Sequence, residues 1–271
     1  MLVPLCRVPS AVNKLHQLLE RLEVPVGGLV YLHTSFSRIR YLELGPKEFT
    51  DSLLDYLGPQ GTLTMPSFSW NVDPSERPWK GYDDYFHGDY RFDVKQTPAN
   101  IGAVPELFRQ RAGVHRGVNY WWSVAAHGPL AEELTDGQEF VEHPSGPDSS
   151  FGRIHQKDGW ILGLGVTLNT TSLAFLPDFE LENKQYVTAE PRRGPVIDHR
   201  GKQVDTWSYW VLPESVRYVK PDAVCGQGFT AMRRHDHEGV IQFAYPYRAY
   251  HERALSLSAP GRRSPWWESL P

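Results

Sequence analysis

Apolar residues recur at helical spacing from Val12 through Leu15, Leu18, Leu19 and Leu22, with Ser10 placed to cap the first turn. The spacing predicts an amphipathic helix over AVNKLHQLLERL, stopped by Pro25 and the Gly27-Gly28 pair. LVYLHTS then runs apolar without alternation, as a strand buried on both faces does, and ends in the hydroxyls of Thr34, Ser35 and Ser37. Gly45-Pro46 opens a second helix, KEFTDSLLDYL, which Gly58-Pro59 closes before the strand TLTMPSF. Strand, helix, strand in this order is the pattern of an α/β layer fold.

The alternation resumes with a helix near Val104 to Arg111, a short strand in WSVAAHG, a helix in PLAEEL and a buried strand in GWILGLGV. Between these blocks, Ser69 to Lys95 is rich in Trp, Tyr, Asp, Pro and Gly without periodicity, too long for a passive connection, and reads as a lid or substrate loop. Beyond Asn183 the runs shorten and alternate, as in GPVIDHRGKQVDTWSYWVL, and predict an antiparallel, strand-rich part. GVIQFAYPYRAYHERALSL follows helical spacing except at Pro246, which should kink or restart a final helix. The expected fold is therefore α/β: a central, mostly parallel or mixed sheet flanked by helices, with a strand-rich C-terminal elaboration. Residues 1–182 form the core, and 183–271 complete the same domain.

With 271 residues and 40% hydrophobic content, the chain easily buries a core. Its formal net charge of -4 gives no global basic field, so nucleic acid and anionic membranes are not expected partners and any anion site must be local. Two cysteines, Cys6 and Cys225, match no metal-ligand spacing and read as ordinary buried thiols. The first twenty residues lack a long apolar region with a cleavage site, and no stretch approaches the ~18 apolar residues of a membrane span. A soluble, cytoplasmic protein is expected.

Six blocks stand in order: VYLHTSFSRIRYL, GTLTMPSFS, FDVKQTPANIGAVPELFR, SVAAHGPLAEEL, GPDSSFGR and ILGLGVTLNTTSL. Together they resemble the aminoglycoside 3-N-acetyltransferase family, whose members pass an acyl group from coenzyme A to an amine. The resemblance spans the first two thirds of the chain and thins after Glu182. Two blocks depart from the family's usual form. Where the family reads RSxHPxxSxAA, this chain runs from Arg116 through Asn119, at the histidine position, to Ser123. Where it reads TSLHxxE, with His and Glu held to be the catalytic pair, this chain has Thr171, Ser172, Leu173, then Ala174 and, at the glutamate position, Pro177.

The resemblance implies acetyl-CoA as acyl donor and a small-molecule amine as acceptor, with no metal. CoA phosphates need backbone donors and local cations, which HTSFSRIR offers through Thr34, Ser35, Ser37 and Arg38, with Arg40 beside them. DSSFGR adds Ser149, Ser150 and Arg153, while Thr97 of the TP pair and Ser123 complete the donor groove that the resemblance implies. Asp178 and Glu180, just past Ala174, and His33 and His127, at the ends of two predicted strands, are candidates for the missing base. An α-amino-like amine with pKa near ~8 is about a tenth neutral at pH 7, so a modest base suffices when geometry is good.

Trp70, Trp79, Tyr120, Trp121 and Trp122 could stack on a sugar or base, which favours an amino sugar or a small biosynthetic amine as acceptor. Three alternatives remain open at this point: another thioester reaction such as ester formation or condensation, a silent CoA-type binder, and a homodimer. His235 and His237 in MRRHDHEGV share one face of a strand and could hold a metal, but a polar loop leading into the last helix explains them better.

Overall fold

A computed structural model of the protein describes residues 10–69, 92–119, 122–180, 191–209, 221–226 and 228–258. Its centre is β1 (Leu29–Thr34), whose residues from Leu29 to Leu32 are all buried. A strand buried on both faces needs a neighbour on each edge. β2 (Thr62–Pro66) and β6 (Trp160–Leu164) flank it, both parallel to it. Antiparallel strands extend the sheet both ways: β5 (Val124–His127) and β4 (His115–Arg116) beyond β2, and β10 (Val240–Pro246) and β9 (Arg233–His237) beyond β6. The result is a seven-stranded mixed sheet in the order β4-β5-β2-β1-β6-β10-β9.

Helices cover both faces. On one, α1 (Ser10–Arg21) presents Leu15, Leu18 and Leu19, α2 (Pro46–Leu57) presents Phe49, Leu53 and Leu57, and α3 (Ala103–Arg109) adds Phe108. Pro46 sits in the first turn of α2, and the Glu48 carboxylate accepts from the Gly45 N–H at 2.6 Å, satisfying a donor that the helix leaves open. On the other face lie α4 (Ala131–Thr135), α5 (Ser150–Gln156), α6 (Leu176–Glu180) and α8 (Tyr247–Leu257), and a short α7 (Pro221–Val224) packs on α8. A second sheet of β3 (Phe92–Asp93), β7 (Arg192–Ile197) and β8 (Gln203–Ser208) adds Phe92 and Val196 to this second core. Among the described residues no helix is long and apolar enough to cross a membrane.

Gly163 shows how closely the layers meet. A Cβ there would lie 2.1 Å from the ring of Phe243, its partner on β10, so only glycine lets that ring cross the strand.

The predicted alternation from residue 10 to 66 matches the structure element by element, and the hairpin β7–β8 matches the antiparallel expectation. Three readings are corrected. GVIQFAYP is not helical: Val240–Pro246 is strand β10, and only Tyr247–Leu257 is helix, with Pro246 as its N-cap residue. An apolar run this short fits either period, and pairing with β6 decides it. His235 and His237 lie in β9, in a hairpin closed by Glu238 (φ 51) and Gly239 (φ 80), rather than in a loop entering a helix. Phe92–Asp93, placed at the end of the long loop by sequence, forms β3; the rest of the proposed lid, 70–91, lies outside the described residues.

Candidate active site

In an open parallel arrangement, ligands sit outside the carboxyl ends of the strands. At the carboxyl ends of β1 and β2, beside the turns that follow β6, is a cavity of about 330 Å³. Leu32, His33 and Thr34 enter it from β1, and Pro66 and Phe68 from β2 and its continuation. Ile101, Pro105 and Trp122 form one wall. Val166, Asn169, Thr170, Thr171, Ser172 and Phe175 form the other.

His33 is 6% exposed, and its Nε2 has no hydrogen-bond partner. Burial pushes its pKa down to about 3, so the imidazole is neutral at physiological pH. Its ring meets the edge of Tyr31 at 5.0 Å. Thr34 Oγ1 is also enclosed without a partner. A neutral imidazole nitrogen and a hydroxyl, both unspent at one cavity, are groups that a ligand can engage.

The turn after β6 is held from two sides. Tyr31 Oη and Ser172 Oγ are 3.1 Å apart, and Tyr247 Oη donates to the Leu173 carbonyl at 2.6 Å. Burial raises the pKa of Tyr31 well above its ordinary value, keeping it a neutral hydrogen-bonding group. Thr171, Ser172 and Leu173 thus fix the short 3-10 turn Ser172–Phe175 that carries Ala174 and leads into Pro177 on α6. Gly165 (φ 71) makes the bend at the end of β6, where a Cβ would lie 3.0 Å from the Ser35 carbonyl.

The other sequence candidates spread over the fold. Trp122 is a buried wall of the cavity, packed on Phe68, Phe151 and Phe175 at 4.9, 5.1 and 5.5 Å between ring centres. Trp70, Trp79, Tyr120 and Trp121 lie outside the described residues. Ser35 precedes the 3-10 turn Phe36–Arg38, on which Ser37 and Arg38 are exposed.

Thr97 and Ser123 are buried around Arg116 instead of facing the cavity. Arg116 Nε donates to Ser123 Oγ at 3.1 Å, Nη1 to the carbonyls of Thr97 and Val94 at 2.5 and 3.2 Å, and Nη2 to the Ser67 carbonyl and Ser69 Oγ at 2.7 and 2.9 Å. Its guanidinium lies 4.8 Å over the Phe92 ring. Asn119, at the family's histidine position, accepts from the Trp122 N–H at 2.7 Å and shapes that bend.

Ser149 caps α5, accepting from the Gly152 N–H at 3.2 Å, and the Ser150 N–H donates to Gln138 Oε1 at 2.9 Å. Arg153 Nη1 donates to the carbonyls of Glu133 and Asp136 at 2.8 and 2.6 Å, closing the end of α4. Glu180 pairs with His251 Nε2 at 3.0 Å on α8 and is not a cavity residue. Asp178 falls on α6, and its side chain lies outside the described part of the chain.

His127 is separated from His33 by topology. It pairs with Leu63 near the start of β2, at the opposite edge of the sheet from the carboxyl end of β1, and burial together with Arg111 and His115 lowers its pKa. Of the four candidate bases, the described side chains bring only His33 to the cavity. Arg116, Asn169 and Thr170 were not singled out by sequence. The hydroxyl-rich string TLNTTS was the available signal for the last two.

The family of the chain follows from comparison with known proteins. The model of the aminoglycoside 3-N-acetyltransferase family matches residues 31–239. The chain belongs to this family. It is 32% identical over 172 residues to aminoglycoside N(3)-acetyltransferase IX of Micromonospora chalcea, covering 60% of each chain. It is 36% identical over 154 residues to aminoglycoside N(3)-acetyltransferase IV of Salmonella sp, covering 55% of this chain and 52% of that one. The chain thus spans less than two thirds of the length of these two relatives. Among solved family structures, apo aminoglycoside acetyltransferase AAC(3)-IVa superposes with a TM-score of 0.66 at 25% identity, covering 90% of this chain and 86% of that one.

Proposed function

We propose that this family member transfers an acetyl group from acetyl-CoA to an amine, and that the acceptor is an amino sugar or a small biosynthetic amine. Supporting this reading is the cavity at the carboxyl ends of β1 and β2, where His33 Nε2 is buried without a partner beside the anchored Ser172–Phe175 turn. The donor supplies the thioester, whose carbonyl carbon the amine lone pair attacks; the C–S bond then breaks and sulfur leaves with the electron pair. The proton lost by nitrogen balances the charge on the departing thiolate.

His33 is the residue that fits the attacking amine, because a neutral ring nitrogen can accept a hydrogen bond from it. A pKa of about 3 makes it too weak a base to hold the proton near neutral pH, so its part is to orient the amine lone pair toward the thioester. Thr34 Oγ1 and Ser172 Oγ are hydroxyls at the same cavity that can donate toward the developing oxyanion. Arg38 and Arg40 are exposed on the turns that follow β1, which supports a part for them in meeting donor phosphates.

Ala174 and Pro177 stand where the family usually has its His and Glu, which argues against simply carrying over the aminoglycoside acetylation for which the relatives are named. The test is calorimetry with CoA and acetyl-CoA, followed by a panel of amino sugars and amines with free thiol read over time. Amine-dependent thiol release with a matching acetylated product sustains the proposal. Tight acetyl-CoA binding with no release on any amine replaces it with the silent-binder reading.

A further inference from the structure

Tyr247, whose hydroxyl holds the Leu173 carbonyl at 2.6 Å, stands at the start of α8 with its ring against a pair of histidines. His155, near the end of α5, meets the edge of the Tyr247 ring at 5.4 Å. His251, one turn further along α8, lies with its ring centre 4.3 Å from that of His155. His251 is 5% exposed and His155 is half-buried, yet Nε2 of each is enclosed with no hydrogen-bond partner. Two enclosed ring nitrogens left unanswered cost stability, so the pair is not there to bind the helices together.

Among the described residues, the charged groups around the pair come from three elements. From α6, Glu180 Oε1 lies 3.0 Å from His251 Nε2 without lining up as a hydrogen bond. From α8 itself, Arg248 and Glu252 bear on His251, and Arg248 is bonded at 2.5 Å to Asp158, which follows α5. The other cations of α5 turn to α4, Arg153 to the carbonyls at its end and Lys157 to Glu133. Burial lowers the pKa of His155, with His251 and Arg248 adding to it against Glu180 and Asp158. Burial also lowers that of His251, which Glu252 opposes and Arg248 reinforces. Both rings are therefore neutral at physiological pH when α5 and α8 are closed.

A contact that lowers the pKa of a histidine takes up a proton when it opens. The opened pair protonates near the ordinary ~6.5. The closed contact is thus fully stabilised above that pH and loses ground as pH falls through it toward the lowered values of the closed form. Two rings this close cannot both carry charge without repulsion. Opening with uptake of one proton shifts up to about tenfold per pH unit, and with two up to about a hundredfold.

We infer that His155 and His251 form a proton-operated latch on the cavity: neutral, they let α5 and α8 close so that Tyr247 holds the Ser172–Phe175 turn, and protonated, they part the helices and release it. The latch acts through the turn that lines the cavity with Ser172 and Phe175. It depends neither on the acceptor used there nor on acetyl transfer itself.

The test is amide hydrogen exchange in the Ser172–Phe175 turn at pH 7 and pH 5, corrected for the intrinsic exchange rate, in the wild-type chain, His155→Gln and His251→Gln. Wild-type protection of the turn should fall at least about tenfold between the two, while β1 and β2 keep theirs. In each Gln variant, where one titrating ring is gone, the fall should shrink to about threefold or less. An imidazole NMR titration of the wild-type chain needs no variant: His155 and His251 should titrate as a coupled pair below ~6.5. Protection that ignores pH in the wild type, an equal fall in both Gln variants, a simultaneous fall in β1 and β2, or two independent titrations at the ordinary value each overturns the inference. None of these readouts uses turnover, so failure of the latch is distinct from failure of the acetyl-transfer reading.

Discussion

Arg116 and His33 are both almost wholly buried polar residues, yet the fold treats them in opposite ways. Around Arg116 three backbone carbonyls and two hydroxyls are arranged so that every guanidinium nitrogen donates. Around His33 the strand ends, the sheet opens into a cavity, and Nε2 has nothing to bond. Burying a polar group without a partner costs free energy, and a fold that leaves one unspent beside a cavity has placed it for something other than stability. Satisfied polar burial holds the Arg116 region together, whereas at His33 the unspent nitrogen faces a cavity.

The comparison breaks most visibly at Arg116. Arg116→Ala strands several buried acceptors at ~1–3 kcal/mol each, so a loss of about 3 kcal/mol or more is expected in urea unfolding. A loss below about 1 kcal/mol would show that the hub is dispensable. At His33 the expectation reverses: His33→Phe should keep the urea midpoint near wild type while turnover falls by roughly 100-fold, the order of loss when a group that orients the reacting amine is removed. Unchanged turnover would remove His33 from the chemistry.

The same residue sets a pH dependence. The unfolded chain protonates this histidine near ~6.5, whereas the folded chain does so only near pH 3. The unfolded state therefore holds more protons between these limits. His33's contribution to stability is complete above about pH 6.5 and is lost as pH falls toward 3. The drop in urea midpoint between pH 7 and pH 5 should be smaller in His33→Phe than in wild type.

A smaller effect separates the turn from the sheet. Tyr31→Phe removes the hydroxyl that meets Ser172 and should cost about 0.5–1.5 kcal/mol, with a rise in the KM of the acceptor as the Ser172–Phe175 turn loosens. An unmoved KM would leave that bond a purely structural one. The smallest change belongs to Glu180→Gln. Its carboxylate, in a side chain 43% exposed, meets His251, whose pKa burial lowers, so under ~1 kcal/mol is at stake and turnover should hold. A collapse of turnover there would move the missing base from β1 to α6.

Much of this architecture is legible in the chain itself. The helical spacing of Leu15, Leu18, Leu19 and Leu22 and the unbroken apolar run of β1 each report a local period, and local periods survive without knowledge of partners. VIQFAY carries no such period over enough residues, so its state waits on β6, whose exposed ladder edge and side-chain-free Gly163 accept Phe243. The blocks containing HTS and TSL both reach the cavity, HTS at the end of β1 and TSL in the turns that follow β6. Thr97, Ser123 and Arg153 carry equally suitable side chains, yet Thr97 Oγ1 accepts from the Asp93 N–H, Ser123 Oγ from Arg116, and Arg153 donates to the carbonyls at the end of α4.

The order of residues therefore determined most of the elements, the α/β class and the family to which the chain belongs. Which polar groups remain free was decided only by the tertiary structure. Hydrogen-bond satisfaction depends on residues far apart in sequence: Arg116 meets Ser67 from 49 positions away, and Tyr31 meets Ser172 across 141. His33 is left facing an open space because, among the described residues, no distant segment brings a partner to its Nε2.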